Sequence, residues 1–150
     1  MRFIFTTSDS LASKAIRAAE GGDPSHVGIV LPTGIVIDST FLHGGVKAWY
    51  LDEWKAMDKR RVVADITFRT PDEEAGITWL GQQLGKPYDT LGVLGMAFWR
   101  DSGSDKKHWC SELALGSALA AGKTLVGKHR RMGVRMLMEL SYAWSEQVNK

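Results

Sequence analysis

Ser25-His26-Val27-Gly28-Ile29-Val30-Leu31-Pro32-Thr33-Gly34-Ile35-Val36-Ile37-Asp38-Ser39-Thr40 is the stretch on which the fold turns. Two short runs rich in β-branched residues flank a Pro/Gly turn, the pattern of a β-hairpin. With Pro32-Thr33-Gly34 as a three-residue loop, Leu31 pairs with Ile35, Gly28 lies opposite Asp38 and His26 lies opposite Thr40. His26 and Asp38 then share one face as diagonal neighbours, about 7–8 Å apart at the backbone and within reach of each other's side chains. A two-residue loop would put them on opposite faces. Gly28, having no side chain, leaves the space between them open.

Working outward, Arg2 to Thr6 reads as a strand, and Ser8 or Asp9 caps a helix carrying Leu11, Ala15, Ile16 and Ala19 at helical spacing. Gly21-Gly22-Asp23-Pro24 ends that helix. Arg61 to Arg69 alternates Val62, Ala64, Ile66 and Phe68 with other residues, which predicts a half-buried strand. Thr70-Pro71-Asp72-Glu73 reads as a capping box with Pro at the first helical position, and the helix should stop near Gly85 and Pro87. Asp101 to Lys107 is the most loop-like segment. A small-residue helix from Cys110 to Ala121 ends at Gly122, and the tail from Val134 to Trp144 places Val134, Leu137, Met138 and Tyr142 at helical intervals. With no repeat or linker in sight, residues 1–150 read as one α+β domain.

Composition supports that reading. The chain has 150 residues, 44% of them hydrophobic and 24% charged, which excludes disordered and collagen-like classes. A formal charge of +2 gives no global field toward nucleic acid, and the cluster Lys128-His129-Arg130-Arg131 reads as a solvated loop. A single cysteine precludes an internal disulfide. No apolar run reaches the roughly 18–20 residues of a membrane span, and Met1-Arg2-Phe3-Ile4-Phe5 lacks the pattern of a secretory signal. A complete chain of this sequence would therefore start life in the cytoplasm.

Cys110 follows a polar, Gly-containing loop and opens the predicted helix, where unpaired N–H groups and the helix dipole favour a thiolate and an oxyanion. Such a nucleophile needs a histidine base and a group that orients it. The bland alternative is a small hydrophobe on an Ala/Leu-rich helix. Of the four histidines, His129 lies in the basic loop, His43 beside Gly44-Gly45 in a turn, and His108 only two residues from Cys110, where it cannot face the thiol. His26, on a strand beside Asp38, is the candidate base and Asp38 the candidate orienter. Glu112 should point away from the sulfur. Trp49, Tyr50, Trp54 and Trp99 read as core packing or, alternatively, as a partner surface.

Taken together, Ser25-His26-Val27-Gly28-Ile29-Val30, Val36-Ile37-Asp38-Ser39, Gly85-Lys86-Pro87-Tyr88-Asp89 and Trp109-Cys110-Ser111-Glu112-Leu113 resemble, in order, the motifs of circularly permuted NlpC-type papain-like cysteine peptidases and amidases of the YiiX/YaeF-like group. Ser13-Lys14-Ala15-Ile16-Arg17 is similar to the helix leading into the histidine strand. The lecithin:retinol acyltransferase group is a more distant likeness. The resemblance spans roughly residues 8–122. It implies an antiparallel sheet packed against helices with the nucleophile at a helix N-terminus, Cys110 as nucleophile, His26 as general base, Asp38 as orienter and Tyr88 beside the substrate. Asp38 stands where that group usually carries Glu, and residues after Gly122 depart from the pattern. The expected activity is thiol-dependent hydrolysis of an amide (peptide, isopeptide or cell-wall peptide) or an ester, without cofactor or metal. Acyl transfer from a lipid is an alternative, as is a non-catalytic structural or phage-associated module. Zinc held by His26, Asp38, His43 and Cys110 is a further reading, although no ligand pair has metal-motif spacing.

Overall fold

The hairpin forms the middle of a five-stranded antiparallel sheet in the computed structural model, which describes residues 1–88, 108–125 and 132–146. The strands are β1 (Arg2–Thr7), β2 (His26–Val30), β3 (Ile35–Thr40), β4 (Gly45–Tyr50) and β5 (Arg61–Thr67), in the spatial order β4-β3-β2-β1-β5. Among the described residues the helices are α1 (Leu11–Glu20), α2 (Leu51–Ala56, continued by a 3₁₀ turn over Met57–Lys59), α3 (Glu73–Gln83), α4 (Cys110–Ala120) and α5 (Val134–Glu146). The protein is thus α+β. None of these helices is long and apolar enough to cross a membrane.

Strand alternation sorts the sheet into two unequal faces. Phe3, Phe5, Val27, Ile29 and Ile37 project from one side into the main core, where they meet Leu80 of α3, Leu113 and Ala114 of α4, and Leu137 of α5. Ile4, Val30 and Val36 project from the other side, where the fully buried Trp54 of α2 covers them, with the partly buried Trp49 and Leu51 packed alongside. Burying one such indole contributes roughly 4–6 kcal/mol on an area basis.

The hairpin has the three-residue register. Ile29 pairs with Ile37 and Val30 with Val36, and Leu31 N–H donates to the Ile35 carbonyl at 2.8 Å. Elsewhere the structure corrects the sequence reading. Helix α1 is capped by Ser10, whose hydroxyl accepts from Ser13 N–H, rather than by Ser8 or Asp9. Its buried residue is Ser13, whereas Leu11 is 86% exposed. Apolar spacing misleads there because the helix packs at the polar end of the sheet. Helix α3 starts after Asp72, whose carboxylate accepts from Ala75 N–H at 2.9 Å, so Thr70 is not the cap. Val62 is exposed because a bulge between Phe5 and Thr6 shifts the β1–β5 register. In α5, Trp144 is buried where Tyr142 was expected. Strand β4 has no counterpart in the sequence reading, since only its first two residues, Gly45 and Val46, are buried. The segment 101–107, Asp89, Trp99 and the 128–131 cluster lie outside the described residues.

Strand β4 also holds the chain that follows α3. Val46 N–H donates to the Lys86 carbonyl at 2.9 Å, and Gly85 N–H donates to the Val46 carbonyl at 3.0 Å. The approach is so close that a Cβ on Gly45 would lie 2.0 Å from the Lys86 oxygen, at a φ of +126° that other residues avoid. Gly45→Ala should therefore cost about 2 kcal/mol or more in urea unfolding. A variant within 0.5 kcal/mol of wild type would show that residues 85–88 are not docked this way.

Candidate active site

Asp38 is the centre of the site. Its place on β3, one residue past Ile37, turns its carboxylate to the Trp54 face, where it is 1% exposed. A buried carboxylate persists only if donors surround it. Oδ1 accepts from Trp49 Nε1 at 3.0 Å, while Oδ2 accepts from His26 Nε2 at 2.8 Å, from Trp54 Nε1 and from Arg60 Nη1 at 3.3 Å. The Arg60 guanidinium also lies 4.4 Å from the centre of the Trp54 ring, a cation–π placement.

Gly28 makes this packing possible. It sits between His26 and Asp38, and a Cβ there would fall 2.6 Å from Trp54 and 2.7 Å from Val36. The gap that sequence reading left open is thus filled by the indole.

These contacts set the protonation states. Burial pushes the Asp38 carboxyl up, but the His26 and Trp54 hydrogen bonds and the His26 and Arg60 charges outweigh it and hold the group below its ordinary value. Burial is also the main influence on His26 and lowers its imidazole below the usual value; the Asp38 bond opposes this and the Arg60 charge reinforces it. An ionised carboxylate only accepts, so the ring proton sits on Nε2. Nδ1 then carries the lone pair, on a side chain 17% exposed.

Cys110 opens α4, which packs against β2 and β3. Ser39 fixes the approach by donating from its hydroxyl to the His108 carbonyl, two residues before the cysteine. Glu112 reaches back to accept from Trp109 N–H at 3.4 Å, as expected of a carboxylate turned from the sulfur.

The thiol itself differs from the sequence expectation. Cys110 is 3% exposed in the main core, and burial pushes it up to about 12. Hydrogen bonds from the Val27 and Ser111 backbones pull the other way, while the charges of Glu20 and Asp38 add to the rise. The helix N-terminus is present as predicted, but desolvation exceeds it. The resting state therefore pairs a neutral thiol with a neutral imidazole.

The structure joins His26 to Asp38 and brings Cys110 to the backbone of Val27, the next residue of the strand. Val27 and Cys110 belong to the main core, whereas the His26 ring packs 5.9 Å from Trp54 on the other face. The sulfur and the imidazole thus lie on opposite faces of the sheet at the start of β2, with no hydrogen bond between them. Tyr88, carried on the segment docked to β4, packs edge-on to Phe41 at 6.2 Å and lines the same cavity as His26. His108 turns to Gln83, with Nε2 3.0 Å from Oε1, and its ring meets Trp79. The His43 ring packs on Trp49 at 5.0 Å, and no three metal-ligating side chains converge among the described residues.

Sequence reasoning missed Arg60 and gave Trp49 and Trp54 no polar role. The available signal was a carboxylate on a strand predicted to be buried, which demands N–H donors from nearby segments. Compared with known proteins, the chain matches no family model and no curated protein sequence.

Removing the hub should be severe. Asp38→Ala leaves buried donors unpaired and is expected to cost about 3–5 kcal/mol in chemical denaturation. Acid should weaken the wild type in two stages, since both folded values are depressed. Stability falls first as the unfolded-state imidazole protonates below its ordinary value near 6.5, then as pH drops through the carboxylate range. His26→Gln should lack the first stage in pH-dependent melting; a curve still showing it would place the titration elsewhere. For Cys110, a value near 12 against an ordinary 9.0 means about a thousandfold smaller thiolate fraction at pH 8. Iodoacetamide should alkylate the native thiol far more slowly than the denatured one, and equal rates would contradict the burial.

Proposed function

We propose that the protein is a cysteine-dependent hydrolase of amide or ester bonds, built on the permuted papain-like plan that its motifs resemble. Cys110 is the nucleophile, His26 the general base, Asp38 the residue that orients His26, and Tyr88 part of the substrate wall. The observation that carries this reading is that Cys110 opens a helix packed against β2, whose first residue is a histidine already oriented by a buried carboxylate. Three chemically suited residues, distant in the chain, lie around the start of β2, the sulfur on the main-core side and the imidazole and carboxylate on the Trp54 side. Catalytic hydrogen bonds in free enzymes are often long or poorly aligned and tighten around substrate, and this mechanism requires His26 and Cys110 to close on each other around the end of β2.

In this mechanism the sulfur attacks the carbonyl carbon while its proton passes to Nδ1 of His26. Asp38 stabilises the resulting imidazolium through Nε2–H. The C–N or C–O bond then breaks as the imidazolium returns its proton to the leaving amine or alcohol. Water attacks the thioester, gives a proton to Nδ1, and releases the acid and the thiol. An amine or alcohol in place of that water would make the same site an acyltransferase. Because thiol and imidazole are neutral at rest, proton transfer accompanies attack instead of preceding it.

Turnover of a panel of fluorogenic peptide amides and 4-nitrophenyl esters tests the reading. Cys110→Ala should lose at least a thousandfold in kcat/KM on any substrate the wild type turns over, with melting and circular dichroism showing a retained fold. The acid limb of kcat/KM should fall below the ordinary imidazole value, in keeping with the depressed His26. Full activity of Cys110→Ala would sink the assignment.

A further inference from the structure

A cavity of about 80 Å³ opens at the end of the sheet from which His26 projects, and its lining includes Thr6, His26, Arg60 and Tyr88. We propose that this cavity is a subsite for a small, neutral hydrogen-bond-accepting group of the substrate, a carboxamide, selected by Thr6. The proposal deepens the hydrolase reading and rests on it for the ligand's being a substrate.

Most hydroxyls at the cavity already satisfy one another. Ser13 Oγ lies 2.6 Å from Ser25 Oγ, Ser25 Oγ donates to Thr7 Oγ1 at 3.5 Å, and Ser8 Oγ donates to Ser10 Oγ at 3.0 Å. Thr6 is the exception. It is 0% exposed, and its Oγ1 has no hydrogen-bond partner among the described residues. A buried hydroxyl without a partner is rare in a folded protein and calls for an explanation. Thr6 pairs with His26 across β1 and β2, so it leaves the sheet on the imidazole's side. A group bound against Thr6 would therefore lie beside the proposed base.

The wall offers further donors beside the Thr6 hydroxyl. Arg60, whose side chain is 5% exposed, uses one of its five N–H groups on Asp38 and lines the cavity with Thr6. Ala12, in the first turn of α1, also lines it, and that turn carries no acidic residue. Early helical N–H groups have no partner within the helix. An acceptor ligand fits these donors.

Charge decides which acceptor. Arg60 is already paired with Asp38, and the exposed carboxylate of Asp58 stands at the cavity lining, so among the described residues the lining has no uncompensated positive side chain for an anion. A neutral carboxamide is preferred over a carboxylate. Size decides against a chain: ligand pockets for drug-sized molecules run from about 300 to 1,000 Å³, and a long alkyl group would leave the Thr6 and Arg60 donors unmatched.

The test is a backbone-amide NMR titration of full-length Cys110→Ala protein with the N-acetyl N-methylamides of asparagine, aspartate and leucine, which have side chains of one shape. The asparagine compound should shift the Thr6, Ser13 and His26 signals and bind at least tenfold more tightly than the other two. Thr6→Val should remove that preference and Thr6→Ser should restore it. Since valine deletes a hydroxyl that has no partner, Thr6→Val should melt no lower than its parent. Equal or tighter binding of the leucine or aspartate compound, shifts elsewhere or nowhere, or an unchanged preference in Thr6→Val would overturn the proposal. Binding as described by a protein whose wild type turns over no amide or ester would sink the hydrolase reading alone. Turnover without the preference would sink the subsite alone.

Discussion

The carboxylate of Asp38 is a negative charge taken out of water, and much of the surrounding structure is arranged so that it can stay charged. Leaving it unpaired would cost several kcal/mol. Four N–H donors from four places in the chain remove that cost: His26 on β2, Trp49 on β4, Trp54 on α2 and Arg60 at the entry to β5. Each bond constrains the element that supplies it. The hub therefore acts as a registry device for one face of the sheet, a face whose apolar cluster is otherwise small.

The same arrangement divides the labour of the site. Asp38 stays ionised, which fixes the His26 proton on Nε2 and leaves the lone pair on Nδ1. Across the strand end, Cys110 is embedded in the main core, where hydrocarbon opposes ionisation. Two opposing influences act on that sulfur, the N-terminal amides of α4 with the Val27 N–H on one side and desolvation on the other. Desolvation wins, so on the proposed reading Cys110 would lose its proton during attack. A papain-like reading thus takes the form of general-base catalysis with a concerted proton transfer.

How much of this was legible in the sequence depended on whether the interaction was local. The hairpin register followed from Pro32-Thr33-Gly34, because loop length dictates which residues pair, and the His26–Asp38 contact came with it. The placement of Cys110 at the start of a helix followed from local pattern as well. Three-dimensional consequences were not readable. The Trp54 indole fills the space over Gly28 only because α2 folds back across the sheet. The thiol's ionisation is governed by the apolar residues around it, which no spacing rule counts. Helix α1 misled through Leu11, because the end of the sheet it meets carries hydroxyl groups, and Ser13 is the residue that fits there.

Arg60 shows why such a hub belongs to a functional site more readily than to a stability device. To deliver its guanidinium between Trp54 and Asp38, the chain passes through two consecutive left-handed residues, Asp58 at φ 53° and Lys59 at φ 49°. Neither is glycine, and such conformations cost on the order of 1 kcal/mol or more for a residue such as lysine. A hydrophobic residue at position 60 and an apolar partner at position 38 would cover Trp54 without strain and without burying charge, often with equal or better stability. What that simpler packing would lose is the ionised carboxylate that fixes the His26 tautomer. The strain at 58–59 and the buried charge at 38 therefore have the same explanation: both are costs of holding one imidazole in one orientation at the end of β2.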